Sequence, residues 1–249
     1  MLSDNDLHRY SRQVIIKEFD EEGQERLLKT KCLIVGAGGL GCPVALYAAA
    51  AGFGHIEIYD QDIIEISNLN RQIAYQDKDK GRNKAERLAE KCININPNIY
   101  VKSHQKNFNK SISINSFDIV FDCSDNAETR YTLNHLCHSY KKILISGSAL
   151  QMEGQFSVWK SGIDTRLPCY ECAFPKTKET APVTNCREAG IIGPITSFIS
   201  SMQVNEAIKE VALKKYCSAA GYLFLYDGLN QNLDKIRLIK KDKCIICSK

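Results

Sequence analysis

Residues 31 to 60 constrain this chain more than any other stretch. Cys32 to Val35 is a short apolar, β-rich run, and Gly36, Gly38 and Gly41 follow it in G-x-G-x-x-G spacing. Leu40 to Ala51 is Ala-rich and reads as the helix that the run feeds, and a second strand, His55 to Tyr59, ends at Asp60. A strand, a glycine turn and a helix in that order gather unpaired N–H groups and a partial positive charge where a phosphate can approach bare backbone. An acid closing the second strand can accept hydrogen bonds from a ribose. The pattern implies a nucleotide and leaves NAD and ATP both open. A tight strand-to-helix turn without a ligand is the plain structural alternative.

A chain of 249 residues is one large domain or one and a half, long enough to bury a full core. Its 44% hydrophobic and 25% charged residues are ordinary for a soluble globular protein. A net charge of +4 gives no basic footprint for nucleic acid. No apolar run approaches the ~18 residues that span a bilayer. The opening Met-Leu-Ser-Asp-Asn-Asp is polar and acidic, unlike a secretory signal, so a cytoplasmic protein with no membrane partner is expected. The cysteine count is 11, and an odd number argues against a closed disulfide framework, leaving metal binding or free thiols.

Along the chain, residues 4 to 29 read as helical, with Arg9 and Arg12 early in the segment; taken alone, both are solvated surface. Asp62 to Tyr75 is too polar for a strand. It follows a strand's C-terminal end, where open α/β sheets bind ligands, so Asn68, Arg71 and Gln72 can face phosphates. Residues 82 to 94 form another helix, with Lys84 near its start as either a surface lysine or a phosphate ligand. Ile99 to Ser103, Phe117 to Asp122 and Ile143 to Ser146 read as strands, and Ala127 to Tyr140 as a helix. Asp125 stands at a strand–helix junction, either capping the helix or holding a cation. Alternating strands and helices imply a mostly parallel sheet covered on both faces. From Gln155 the pattern changes: Gln155 to Trp159, Tyr222 to Tyr226 and Leu233 to Ile239 read as antiparallel strands. Between them lie a polar loop, Pro175 to Pro182, and a helix of about twenty residues opened by Gly193-Pro194.

Cys169-Tyr-Glu-Cys172 and Cys244-Ile-Ile-Cys247 are two C-x-x-C pairs. Two such pairs suit a tetrahedral zinc site of four thiolates, closed and therefore structural; free thiols or a redox pair are the alternatives. Cys186 lies in a loop ahead of a helix with Arg187 beside it, which favours a reactive thiolate, against an inert thiol. Cys32, Cys42, Cys92, Cys123, Cys137 and Cys217 fall in or beside strands and helices and read as small core residues.

Taken in order, Arg9-Tyr-Ser-Arg12-Gln13, Gly36-Ala-Gly-Gly-Leu-Gly41, Asp60, Ser67-Asn-Leu-Asn-Arg71-Gln72, Lys84, Asp122-Cys-Ser-Asp125-Asn126 and both cysteine pairs resemble the bacterial ThiF/MoeB/HesA adenylyltransferases of the ubiquitin-activating superfamily. The resemblance spans nearly the whole chain as one unit, with a nucleotide-binding half (1–150) and a zinc-bearing, carrier-binding half (151–249). It implies a Rossmann-like, mostly parallel sheet continuing into antiparallel strands. It further implies ATP, and adenylation of the C-terminal glycine of a ubiquitin-fold sulfur carrier ending in Gly-Gly. On that basis Gly39 and Gly41 shape the nucleotide loop and Asp60 holds the ribose. Arg71 and Lys84 grip the triphosphate beside Asn68, Asp125 binds Mg2+, and Arg12 reaches the phosphates of the neighbouring subunit of a homodimer. A carboxylate attacking a polyphosphate needs positioning and cationic clamping more than a general base, which suits that set.

Within the family, Asn185-Cys186-Arg187 and Ala189-Gly190-Ile-Ile-Gly-Pro194 look closest to the ThiF branch. That branch implies a ThiS-like carrier, thiamine biosynthesis and a sulfur-handling role for Cys186; a MoaD-like carrier for molybdopterin is the alternative. With the sequence ending at Lys249, a separate sulfur donor such as a cysteine desulfurase or rhodanese is expected. An NAD-dependent oxidoreductase shares the glycine fingerprint but gives no account of Arg12, Arg71 and Lys84. A zinc-stapled scaffold that only docks a ubiquitin-like partner is the non-catalytic alternative.

Overall fold

The computed structural model describes residues 1–176, 189–213 and 216–248. Strands β1 (Lys31–Val35), β2 (His55–Tyr59), β3 (Tyr100–His104), β4 (Ile119–Asp122) and β5 (Ile143–Leu150) pair in parallel. Strands β6 (Glu153–Trp159), β7 (Tyr222–Asp227) and β8 (Asn232–Arg237) continue the same sheet antiparallel. The order is β3-β2-β1-β4-β5-β6-β7-β8, so the chain reverses its direction of growth between β1 and β4. In open parallel sheets that reversal leaves a crevice beyond the strands' C-terminal ends, where ligands bind.

The helices are α1 (Asp4–Arg9), α2 (Ser11–Val14), α3 (Asp20–Lys29), α4 (Gly41–Ala51), α5 (Lys84–Ile95), α6 (Ala127–Ser139), α7 (Tyr170–Ala173) and α8 (Gly193–Ala212). Two-residue alternation along the strands divides the core between the two faces of the sheet. Ile34, Ile58, Phe121 and Ile145 pack with α4, α5 and α8. Leu33, Val120, Leu144 and Trp159 pack with Leu133 and Leu136 of α6. Burial on both faces explains why β1 and β4 read as continuous apolar runs. Among the described residues no helix is long and apolar enough to cross a membrane.

Several elements depart from the sequence reading. The helical stretch 4–29 is three helices, because the chain bends to bury Tyr10 and Phe19. Asp20 has φ 51°, and its carboxylate accepts from the Glu22 and Gly23 N–H groups, starting α3 afresh. Helix α5 begins at Lys84, since the Asn83 side chain caps it by accepting from Glu86 N–H. Strand β5 runs on to Leu150 through Gly147, where a Cβ would collide with the Gln203 amide of α8. Cys217 is exposed, not a core residue; Cys32, Cys42, Cys92, Cys123 and Cys137 are buried as expected.

Candidate nucleotide site and cysteine cluster

The loop after β1 folds tightly because its glycines leave no alternative. At Gly36 (φ +100°) a Cβ would strike the Cys123 carbonyl, and at Gly41 it would strike the Gly36 carbonyl. The first and third glycines of the fingerprint therefore serve backbone packing. Gly38 differs, since the nearest atom to a Cβ there is Gln72 Nε2 at 3.7 Å. A Cβ on Gly39 would lie 3.4 Å from Arg71 Cγ and 3.2 Å from Thr196 Cγ2, so the loop, the Asn68–Gln72 segment and the start of α8 meet there. The packing around Gly36 and Gly41 also brings Cys123 and Ser124, just after β4, against the loop, across the sheet's reversal point.

Asp60 ties the second strand to the same place. Its Oδ2 accepts from Ala37 N–H (2.7 Å) and its Oδ1 from Asp62 N–H (2.8 Å). Burial is the largest influence on its carboxyl and raises it above the usual aspartate range, although both N–H donors and Lys84 act the other way. Asn83 Nδ2 donates to the carbonyls of Asp60 (3.2 Å) and Asp62 (3.1 Å), pinning the start of α5 to the exit of β2. Lys84 is buried, and its Nζ meets Asp62 Oδ2 at 3.0 Å. The Tyr75 hydroxyl bridges the carbonyls of Ala37 (2.8 Å) and Lys84 (3.0 Å), coupling the glycine loop to α5. Asn68 is buried in a 3-10 turn, its Oδ1 accepting from Glu65 N–H. Arg71 Nη1 donates to the Ser67 carbonyl and Asn70 Oδ1, both at 3.0 Å.

The junction after β4 shows that Asp125 is not the helix cap. Asn126 caps α6, its Oδ1 accepting from Thr129 N–H at 2.9 Å. Asp125 is exposed and has no hydrogen-bond or ion-pair partner among the described residues, which leaves its carboxylate available to a cation. Beside it, fully buried Asp122 accepts from Ser124 N–H (3.1 Å), Ser124 Oγ (2.6 Å) and Ser146 Oγ (2.7 Å). Arg130 donates to the Ser124 carbonyl (2.7 Å). Burial works against the charge of Arg130, but Asp122 and Tyr170 outweigh it and raise its pKa. Arg130, Ser146, Ser148, Gln155 and Tyr170 line a small recess between α6 and the floor of β5 and β6.

Gly39, Gly41, Asp60, Asn68, Arg71, Lys84 and Asp125 thus all lie on the segments bordering the β1/β4 crevice. Arg12 does not join them within one chain. It is exposed, and its neighbour Gln13 donates to the Ala51 carbonyl (3.1 Å) at the C-terminal end of α4. A helix of 11 residues puts that end about 16 Å from the glycine loop. Cys186 and most of the 175–185 loop lie outside the described residues. Asp62, Tyr75 and Arg130 escaped the sequence reading. Only Asp62 carried a signal, as a second acid two residues beyond Asp60.

The four paired cysteines come together as their spacing implied. All four sulfurs lie within 4.8 Å of one another and all four residues are buried. Cys169–Cys244, Cys172–Cys247 and Cys169–Cys172 sulfur separations are 3.5, 3.4 and 4.0 Å. Four thiolates about 2.3 Å from one tetrahedral zinc stand about 3.8 Å apart, so the donor set fits that ion. Lys241 N–H points at Cys172 Sγ (3.4 Å), the kind of outer contact that steadies a thiolate ligand.

Residues 10–247 match the ThiF family. The adenylyltransferase and sulfurtransferase MOCS3 of Caenorhabditis briggsae is 44% identical over 250 residues, which cover 99% of this chain and 61% of that protein. The protein of the same name from Dictyostelium discoideum is 39% identical over 250 residues, covering 99% and 58%. The chain therefore spans about three fifths of the length of these curated relatives. Among solved structures, Escherichia coli MccB with MccA-N7isoASN superposes with a TM-score of 0.83 at 20% identity, covering 100% of this chain and 76% of that one. Escherichia coli MccB with ATP gives 0.76 at 22% identity, covering 90% and 68%. Identities this low speak for the fold alone. The sequence match over almost the whole chain, on a sheet whose reversal point gathers the glycine loop, Asp60, Arg71 and Lys84, makes this protein a member of the ThiF family.

Proposed function

We propose that this chain uses ATP to adenylate the C-terminal glycine of a ubiquitin-fold sulfur carrier ending in Gly-Gly, releasing pyrophosphate. The observation that carries the reading is the gathering of Gly39, Asp60, Arg71 and Lys84 at the sheet's reversal point, with exposed Asp125 shortly after the end of β4. Backbone N–H groups of the glycine loop and the start of α4 would receive phosphate, and Asp60 the ribose hydroxyls. Arg71 and Lys84 would hold the triphosphate oxygens, with Asn68 beside them. Asp125 would hold Mg2+, which when bound neutralises phosphate charge. The carrier's carboxylate, already ionised, needs no base. It needs alignment with the α-phosphorus and relief from charge repulsion, both of which fixed cations supply.

The relatives' name, adenylyltransferase and sulfurtransferase MOCS3, supports a MoaD-like carrier better than the ThiS-like carrier and thiamine route that the Cys186 flanks suggested. An oxidoreductase reading leaves Arg71 and Lys84 without a task. We place Arg12 in the partner's crevice, in keeping with its distance from its own. Exposed Tyr47 lines a hollow with Gln13 and Ala51 at that end of α4, exposed Ile15 and Ile16 follow Gln13 in the chain, and these suit a homodimer contact. Cys186 belongs to a later sulfur-handling step, with a cysteine desulfurase or rhodanese as donor. ATP–pyrophosphate exchange tests the reading: exchange should require a Gly-Gly-ending carrier and be faster with a MoaD-like than a ThiS-like one. Exchange indifferent to the carrier would refute it.

A further inference from the structure

Lys84 is held with a counter-charge already in place. Its side chain is 7% exposed, and Asp62, whose carboxylate lies 3.0 Å from the ammonium, is 40% exposed. A covered ammonium with no partner is costly, so the resting protein needs such an acid. A bound triphosphate would be a second, stronger anion claiming the same cation, and Asp62 and the phosphates would repel each other across it. The exposures separate the pair: the Asp62 carboxylate borders water, whereas the Lys84 side chain is covered.

Backbone hydrogen bonds hold the loop independently of the Asp62–Lys84 pair. The Asp62 N–H donates to Asp60 Oδ1 at 2.8 Å. Its carbonyl accepts from Lys84 N–H (2.9 Å) and Asn83 Nδ2 (3.1 Å). The Tyr75 hydroxyl holds the Lys84 carbonyl from the other side (3.0 Å). The backbone around Lys84 therefore keeps its place while the acid changes partner.

Resting on the adenylation reading, we propose that Asp62 is the exchangeable counter-ion of Lys84: the triphosphate displaces it on binding, and it returns when pyrophosphate leaves. Asp62 is then a positioning residue that loosens nucleotide affinity and eases product release. An acid that merely shaped the fold would, on removal, weaken ATP binding along with stability. An exchangeable counter-ion has the opposite signature, because its loss destabilises only the unliganded state.

The experiment is calorimetric binding of ATP and of pyrophosphate to the full chain without carrier, together with melting curves. Asp62→Asn should melt lower when unliganded, yet bind both ligands roughly fivefold more tightly, the scale of one partly exposed ion pair. Asp62→Glu should restore the parent affinity. In a Lys84→Ala background the gain from Asp62→Asn should shrink at least by half. Should Asp62→Asn not fold, Asp62→Ser carries the same expectation. Unchanged or weaker ATP binding in a folded variant would overturn the inference alone. A parent protein that binds no ATP would overturn the adenylation reading with it.

Discussion

The sulfur of Cys169 lies 3.5 Å from that of Cys244, 75 residues further along the chain. That contact and its companion between Cys172 and Cys247 hold the last described turn against α7 and so against the recess beside Arg130. One zinc per chain is expected by elemental analysis. Because thiolates must be formed for binding, the metal should be lost on acidification and to chelators. Cys244→Ala should abolish metal content and lower stability severely, since a structural zinc contributes of order ~10 kcal/mol of apparent binding free energy. Metal-free protein with an unchanged melting point would remove this role.

Arg12 lies at the wrong end of α4 to serve its own glycine loop. Arg12→Ala should fold normally and lose adenylation by about a hundredfold or more, as expected for a cation that neutralises transition-state charge. Mixed with Lys84→Ala subunits, it should recover activity, because one crevice in each heterodimer then contains both cations. Absence of recovery in verified heterodimers would place Arg12 in its own chain's site.

Asp125 and Asn126 are adjacent, but only Asn126 caps α6. Asp125→Asn should leave stability within about 0.5 kcal/mol, because it contributes no cap. It should lower carrier adenylation at saturating Mg2+ by about a hundredfold. Asn126→Ala should instead cost about 1 kcal/mol of stability through the lost cap on Thr129 N–H. Urea titration beside a steady-state assay separates the two; equal losses of stability would contradict the assignment.

The glycines of the loop should divide by variant. Gly41→Ala drives a Cβ into the Gly36 carbonyl and should cost several kcal/mol or prevent folding. At Gly38 the nearest atom to an added Cβ is 3.7 Å away, so Gly38→Ala should fold well and bind ATP at least about tenfold more weakly. An alanine there that leaves ATP affinity untouched would mean the phosphates do not approach Gly38.

Glu57 sits between His55 Nε2 (3.0 Å) and His104 Nε2 (2.6 Å) on β2 and β3, upstream of Asp60. Burial alone would raise its carboxyl, but the hydrogen-bonded histidines outweigh burial and hold it below the usual glutamate range. A depressed carboxylate contributes stability that is complete above its unfolded pKa and is lost as pH falls through the folded one. Glu57→Gln should therefore be less stable than the parent at neutral pH, with the gap closing below about pH 4. Denaturant midpoints across that range check it, and a gap that stays constant into acid would contradict it.

The order of elements, the parallel-to-antiparallel change and the cysteine pairs were all legible in the sequence, because each rests on local pattern. Strand periodicity, glycine spacing and C-x-x-C geometry act over a few residues, and no distant contact can mimic them. Helix boundaries were less legible. The break within residues 4–29 comes from burying Tyr10 and Phe19 against parts of the chain far along the sequence. Roles that depend on what faces a side chain were decided by tertiary structure alone. Asn126 rather than Asp125 caps α6, Tyr75 joins the glycine loop to α5, and Asp62 partners Lys84. A carboxylate's neighbours come from segments that only the folded sheet brings together, and nothing in its own flanks records them.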